Sequence, residues 1–349
     1  IQYGPHTTGG AINMITTAIP DSLAFGLNLG YGSFNTTNIL ANIGTSTKYY
    51  GVLAEYSNNS SNGFKTIQGH ENLNTGFDKN ELMLKGRLHS DLSKNQYHMF
   101  ELKFHYYDEV SNETYLGLEK ADFDKNPLMR YAASMNDIMK ANHYLYSLKY
   151  QFRINRNLNW TTNAYYNEFK RNWYKLNDLT IDDTKVSISK ILEDKTNYTE
   201  YYNVLNGQSS QVGDYLKNRA NNRAYESKGI QSKLTFEYIL GKVKNKTEFG
   251  TRIHYDDEDR MQWEDQLGMK DNSLFYISKG TKGTQSNKVT STLAWSNYIY
   301  QTMNLGKLTL TGGLRHELIS GGVLDYGKVD TSRTGANLKT KENSYGVFI

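Results

Sequence analysis

The 349-residue chain contains no cysteine, only 3 prolines and no long run of apolar residues. Without cysteine there is no disulfide framework, no thiolate metal site and no thiol nucleophile. A transmembrane helix needs about 18 or more consecutive apolar residues, and the mean hydropathy of −0.69 is too polar for a helical membrane protein. The net charge of +4 is spread without Lys/Arg blocks, so nucleic acid is not an expected partner. A soluble protein or a β-barrel remains.

The chain does have a two-residue alternation of apolar and polar side chains. In the segment 230–240, Ile230, Leu234 and Phe236 share one face, opposite Gln231 and Lys233. Similar alternation recurs at 24–33, 36–45, 49–57, 80–90, 100–106, 144–152, 157–169, 246–255, 288–301 and 308–318. These make about eleven predicted strands. Most are about 9–13 residues long, which exceeds the usual globular strand and matches the roughly 9–11 residues that cross a bilayer.

The connections between these strands alternate between short and long. Short ones are predicted near 45–48 and at 91–95, 154–156, 241–243 and 304–306. Long ones are predicted at 58–79, 109–142, 171–228, 259–286 and from 319 to about 344. Short turns on one rim and long loops on the other are typical of bacterial outer-membrane barrels. The sequence therefore predicts an all-β, antiparallel transmembrane β-barrel in the bacterial outer membrane.

The opening stretch IQYGPHTTGGAINMITTAIP adds a family resemblance. Its segments 3–5, 9–13 and 15–17 resemble the end of the plug domain of TonB-dependent outer-membrane receptors. Paired glycines allow close backbone approach, and Ile12, Met14 and Ile15 are expected to complete a small sheet inside the barrel. The resemblance predicts the end of a plug domain at 1–20 and the N-terminal half of the barrel at 21–349.

A second stretch narrows the resemblance. A resemblance to the ferric-dicitrate branch of these receptors is found in segments 112–118, 121–123, 126–127 and 130–134 with Asp137, and also in 32–37. The family has 22 strands around its plug, so we expect a fragment with 11–12 of them, a twelfth starting at Tyr345. The implied function is active import of a citrate-like ferric chelate. The implied partners are outer-membrane lipid and the TonB complex, the latter through a region upstream of Ile1, and neither a cofactor nor an enzymatic activity is implied.

A ferric citrate complex is anionic and rich in oxygen, so its site should offer arginine forks and amides. The predicted contacts are Arg130, Arg219, Arg223, Gln211 and Lys217. Arg219 and Arg223 are four apart and would converge on one anion if their segment were helical. The remaining external-loop arginines are Arg171, Arg260 and Arg333, and lumenal cations such as Lys85, Arg252 and Arg315 are expected to balance wall carboxylates or face the plug.

Other functions stay open at this point. The cargo of a receptor of this kind could instead be a nickel chelate, another siderophore or haem, for which His70 is the candidate loop ligand. A passive porin or adhesin barrel and a soluble carbohydrate-binding β-protein are the alternatives from other classes. Metal-binding histidine spacings and hydrolase, Walker or dinucleotide motifs are absent from the sequence, and Asp256–Asp259 is expected to be a solvated acidic rim.

Overall fold

The computed structural model describes Gly4 and residues 9–348. Its strands are β1 (Ala24–Gly32), β2 (Thr36–Ser46), β3 (Tyr50–Ser61), β4 (Thr66–Ile67), β5 (Phe77–His89), β6 (Tyr97–Ser111), β7 (Met129–Arg130), β8 (Ile138–Asn155), β9 (Leu158–Ile181), β10 (Thr184–Ser187), β11 (Tyr215–Leu240), β12 (Val243–Lys270), β13 (Ser273–Ser278), β14 (Ser286–Leu305), β15 (Leu308–Asp325) and β16 (Asn337–Phe348). The α-helices are α1 (Lys120–Lys125), α2 (Ile188–Glu193) and α3 (Thr199–Leu205), and 3₁₀ turns occupy Ser33–Asn35 and Ala132–Ser134.

The long strands form one antiparallel meander in the order β1-β2-β3-β5-β6-β8-β9-β11-β12-β14-β15-β16. Within the described residues, β1 and β16 each pair with one neighbour on this path. The predicted all-β class and the eleven predicted strands are confirmed, and the twelfth begins at Asn337 rather than Tyr345. Ile349 lies outside the described residues. No helix in this part of the chain is long and apolar enough to cross a membrane.

The sheet has an apolar face and a polar face, because the register between neighbouring strands preserves the alternation. One cross-strand row of the apolar face contains Ile230, Ile253 and Trp295, which are 45–50% exposed. The adjacent row belongs to the polar face and consists of Asn163, Gln231, Arg252 and Ser296. That row lines a cavity of about 650 Å³ together with residues 13–16.

The N-terminal segment that includes Thr17 is hydrogen-bonded to the polar face of the sheet. Lys85 Nζ donates to the carbonyl oxygen of Thr17 at 2.5 Å, and Thr17 Oγ1 donates to Glu55 Oε2 at 2.7 Å. Lys85 thus contacts the segment that the sequence predicted as the end of a plug. Ile19 is buried between Leu53 and Met83. Residues 16–20 therefore run along the barrel wall.

The rest of this segment does not form the expected small sheet. Ile12, Met14 and Ile15 are 88–95% exposed, and residues 9–20 contain no strand. Tyr3 and Pro5, which carried part of the resemblance, lie outside the described residues.

The short turns are confirmed, but three of the predicted long loops are wrong in extent. Strands β9 and β11 continue to Ile181 and from Tyr215 into the predicted loop 171–228, and β12 continues to Lys270. Likewise β15 and β16 shorten the last predicted loop to the interval between Asp325 and Asn337. The extension of β11 has polar side chains on both faces, so it lacks the apolar alternation from which the strands were predicted. The extension of β12 does alternate, with Met261 and Trp263 on the face opposite Arg260.

The remaining loop residues fold into a second hydrophobic core. We call this body the cap: residues 112–137, residues 182–214 and the adjoining ends of β9, β11 and β12. Its buried apolar side chains are Leu116, Tyr131, Ala132, Ala133, Leu176, Leu179, Ile181, Val186, Ile188, Ile191, Tyr202, Val204, Leu205, Leu216, Leu267 and Met269. Two of the long connections are therefore packed against one another.

Polar contacts join the two connections within the cap. Asp122 on α1 accepts hydrogen bonds from the hydroxyl groups of Tyr131, at 2.7 Å, and of Tyr202 on α3. Burial acts to raise the pKa of Asp122, but these hydrogen bonds outweigh it and lower the pKa. The buried Asp137 accepts from the backbone N–H of Leu176 at 2.9 Å, and burial raises the pKa of Asp137 to about 7.

Candidate functional site

Four neighbouring strands place four cationic side chains directly beside one another. Arg171 on β9 pairs with Arg223 on β11, Arg223 pairs with Arg260 on β12, and Arg260 pairs with Lys288 on β14. Opposed residues on one face of an antiparallel sheet have Cβ atoms about 4.5–5.5 Å apart. We call these four residues the cation row.

The cation row belongs to the polar face. Each of its members lies eight residues along its strand from a cavity-lining residue, as Arg223 does from Gln231 and Arg260 from Arg252, and the register between them is uninterrupted. Side chains alternate faces with a period of two, so an even offset keeps the same face. At about 3.3 Å per residue, the row lies roughly 27 Å along the strands from the cavity.

Two members of the row share one carboxylate. Arg223 Nη1 donates to Glu258 Oε1 at 2.8 Å, and Arg260 Nε donates to Glu258 Oε2 at 2.7 Å. Like charges directly opposite each other destabilise a sheet, so Glu258 offsets the repulsion between the two guanidinium groups. The Nε atom of Arg223 is buried and has no hydrogen-bond partner.

The other two members of the row lack such a carboxylate. Arg171 lies against the ring of Tyr225, 5.9 Å from its centroid, and its Nη2 donates to the Tyr225 hydroxyl at 3.3 Å. Among the described residues, no Asp or Glu lies within salt-bridge distance of Lys288. The row therefore carries more positive charge than its immediate counter-ion neutralises.

A hollow of about 340 Å³ lies next to the row on the same face. Its lining includes Phe169, Tyr225, Glu258 and Thr290, which form the next cross-strand row of the polar face. The rings of Phe169 and Tyr225 stack at a centroid distance of 5.9 Å. Three further carboxylates line the hollow, so the paired N–H donors for a multiply charged anion come from the guanidinium groups of the row beside it.

Of the predicted contacts, Arg223 is a member of the row. Arg219 lies four residues away on β11 and on the same face, where its Nε donates to Glu264 Oε1 at 2.8 Å. The condition of a helical segment for this pair is not met, because the segment is a strand that pairs with β9 and β12. The two arginines still share a face, since a spacing of four is even.

Lys217 and Gln211 lie further from the row. Lys217 Nζ is 5.3 Å from the ring centroid of Tyr215, and six residues of strand, about 20 Å, separate Lys217 from Arg223. Gln211 is exposed, and its backbone N–H donates to Asp214 Oδ2 at 3.1 Å. The structure does not bring these two side chains together with the row.

Arg130 lies in a different part of the loops. It belongs to β7, which pairs in parallel with β4, and its Nη1 donates to the carbonyl oxygens of Pro127 and Met129 at 2.9 and 2.5 Å. Burial lowers the pKa of Arg130. The candidate haem ligand His70 is engaged at Nε2 with the carbonyl oxygen of Asn272 at 2.9 Å.

The cation row was not identified from the sequence as a unit. Arg171 and Arg260 were counted among the loop arginines, and Lys288 was not among the candidates. The row could have been found by counting residues along each strand from the short turns, because the short turns set the register that continues into the charged strand extensions. The run Asp256–Asp259 is divided between the two faces, and Asp259 pairs with Arg333. The described residues contain no group of three or more His, Asp or Glu able to hold a metal ion.

Comparisons with known proteins support the fold. No protein-family model and no curated protein matches the sequence. Among solved structures, the ferric citrate transporter FecA in its unliganded form is 19% identical, with a TM-score of 0.66 over 100% of this chain and 44% of that chain. The open form of the ferric-catecholate import receptor Fiu from Escherichia coli K12 is 10% identical, with a TM-score of 0.68 over 96% and 52%.

The siderophore receptor PiuA from Acinetobacter baumannii is also similar, at 14% identity and a TM-score of 0.65 over 98% of this chain and 48% of that chain. The chain thus spans about half the length of the structures it matches. The resemblance to TonB-dependent siderophore receptors that the sequence indicated is confirmed at the level of the fold.

Proposed function

We propose that the chain is part of a TonB-dependent outer-membrane receptor that binds an anionic ferric chelate at the cation row and imports it. The observation that carries this proposal is the row itself. It places Arg171, Arg223, Arg260 and Lys288 side by side on the polar face of a fold shared with ferric-chelate receptors.

Membrane insertion is supported by the exposed apolar face. Side chains such as Ile230 and Ile253 are half exposed on the sheet, as contact with lipid requires of a barrel's outer surface. Strands β11 and β12 have 26 and 28 residues, whereas about 9–11 residues cross a bilayer. The remaining length extends past the bilayer on the side of the long connections, and the cation row belongs to this extension.

We also propose a division of the chain into two parts. We assign residues 1–20 to the end of the plug and residues 21–349 to the first half of the barrel. Strands β1 and β16 each have one partner within the described residues, and unpaired strand edges are unfavourable in lipid. Further strands would close the barrel, and the plug would couple it to the TonB complex.

A citrate-like chelate suits the row best, because carboxylate groups accept paired N–H donors from guanidinium. The predicted contact Arg219 extends the same face by four residues, while Arg130, Gln211 and Lys217 remain proposed contacts of the loop region. A catecholate chelate is the second candidate, favoured by the stacked rings of Phe169 and Tyr225 beside the row.

The test measures binding of ferric citrate to the full-length protein in detergent by calorimetry. It compares the wild type with a double variant that carries Arg223→Gln and Arg260→Gln. Hydrogen bonds to charged groups contribute about 1.5–3 kcal/mol each, so affinity should fall by a factor of at least about 100, with a weaker dependence on salt. The control is Arg156→Gln, a residue of the short-turn rim that donates to Asn95. Unchanged affinity in the folded double variant would contradict the assigned site.

The same titration separates the alternatives. Tight binding of a ferric catecholate, a nickel chelate or haem in place of ferric citrate would reassign the cargo. A folded protein that binds none of them would favour a passive barrel.

A further inference from the structure

Glu258 occupies the place where an anionic ligand would meet the cation row. We propose that Glu258 is a specificity-determining residue, an internal counter-ion that the carboxylates of a ligand must displace, so that small monoanions are rejected and polyanionic chelates are selected. The inference rests on the proposed function and deepens it.

The geometry of Glu258 is that of a bridging carboxylate. Its Oε1 accepts from Arg223 Nη1 at 2.8 Å, while its Oε2 accepts from Arg260 Nε and Nη2, both at 2.7 Å. A carboxylate of a bound ligand would need the same N–H groups, because paired donation from guanidinium is the strongest arrangement available to it. The Glu258 side chain is 19% exposed and lines the hollow beside the row, so it can leave this position without unfolding the sheet.

Other carboxylates near the row have different partners. Glu264 pairs with Arg219, which lies four residues from Arg223 on β11. Asp259 lies on the opposite face of β12 and pairs with Arg333. Among the described residues, Glu258 is the carboxylate that two members of the row share.

Competition with Glu258 sets a minimum ligand charge. A monoanion that replaces Glu258 exchanges one carboxylate for another and gains little. A ligand with several carboxylates also reaches Arg171 and Lys288, which no Asp or Glu neutralises within the described part of the chain. Because opposed positions on neighbouring strands are about 4.5–5.5 Å apart, the four residues span roughly 15 Å, enough for a chelate with carboxylates on opposite sides of its metal.

The experiment compares wild type with Glu258→Gln in the full-length protein, using inorganic phosphate, at a mildly acidic pH where it is chiefly a monoanion, and ferric citrate as separate probes. Glutamine keeps the shape of the side chain and removes its charge. We expect affinity for phosphate to rise at least about tenfold, and to rise more than the affinity for ferric citrate, so that discrimination between the two falls. The matched control is Glu168→Gln, which removes the ion-pair partner of Lys170 on the opposite face of β9 and should leave both affinities unchanged.

Two outcomes would overturn the inference. Unchanged phosphate affinity in folded Glu258→Gln would show that Glu258 does not compete for the row, and weaker binding of both probes would show that it positions the arginines. Glu258→Asp, which retains the charge, should keep the wild-type discrimination and guards against a general loss of structure. Absence of ferric citrate binding by wild type would count against the proposed function alone, because the phosphate comparison does not depend on the cargo.

Discussion

Replacing Leu205 with alanine tests whether the cap is one cooperative body. Leu205 lies on α3, is fully buried and belongs to the same core as Tyr131 from the other long connection and Leu216 from β11. Leucine-to-alanine substitutions at fully buried sites cost about 2.7–5 kcal/mol, through lost transfer energy and the cavity left behind. A loss of about 3 kcal/mol in the cap corresponds to opening that is more frequent by a factor of about 100.

Hydrogen exchange followed by mass spectrometry measures this opening in the detergent-solubilised protein. Amides of α3 and of the turn Ala132–Ser134 should exchange faster together, while amides of the segment 230–240 stay unchanged because the sheet does not depend on the cap. Val212→Ala, at a fully exposed position in the same connection, should change nothing. Faster exchange confined to α3, with Ala132–Ser134 protected as before, would refute the single-core interpretation.

Two further predictions concern the cap and the N-terminal segment. Burial raises the pKa of Asp137 to about 7 against the backbone N–H of Leu176. Between about pH 4 and pH 7 the folded cap then retains a proton that the unfolded chain releases. Protection of the Leu176 amide against exchange should therefore fall as pH rises from 5 to 8. The same trend in Asp137→Asn would contradict this cause. Lys85→Met removes the hydrogen bonds to Thr17 and Thr16, so proteolytic cleavage within residues 9–17 should accelerate. The control is Lys307→Met. Equal cleavage rates in the two variants would show that Lys85 does not hold the segment.

Local pattern was sufficient for most of the sheet. The alternation at 230–240 and its copies predicted the strands, because the two-residue period of a strand is written into adjacent residues. The short turn after Leu240 was predictable for the same reason, and Gly241 adopts there the positive φ of +60° that glycine accommodates readily. Arg223, a member of the cation row, was among the contacts predicted from the sequence.

The cation row and the cap could not be predicted in this way. Arg171, Arg223, Arg260 and Lys288 become neighbours through the register of four strands, which depends on every turn and bulge between them. The cap core joins residues such as Tyr131 and Leu205, which come from separate connections with no shared period. The sequence by itself determined the alternating part of eleven strands and which face of that part is polar. Only the tertiary structure decided which distant residues meet, because cross-strand register and loop packing are properties of the whole chain.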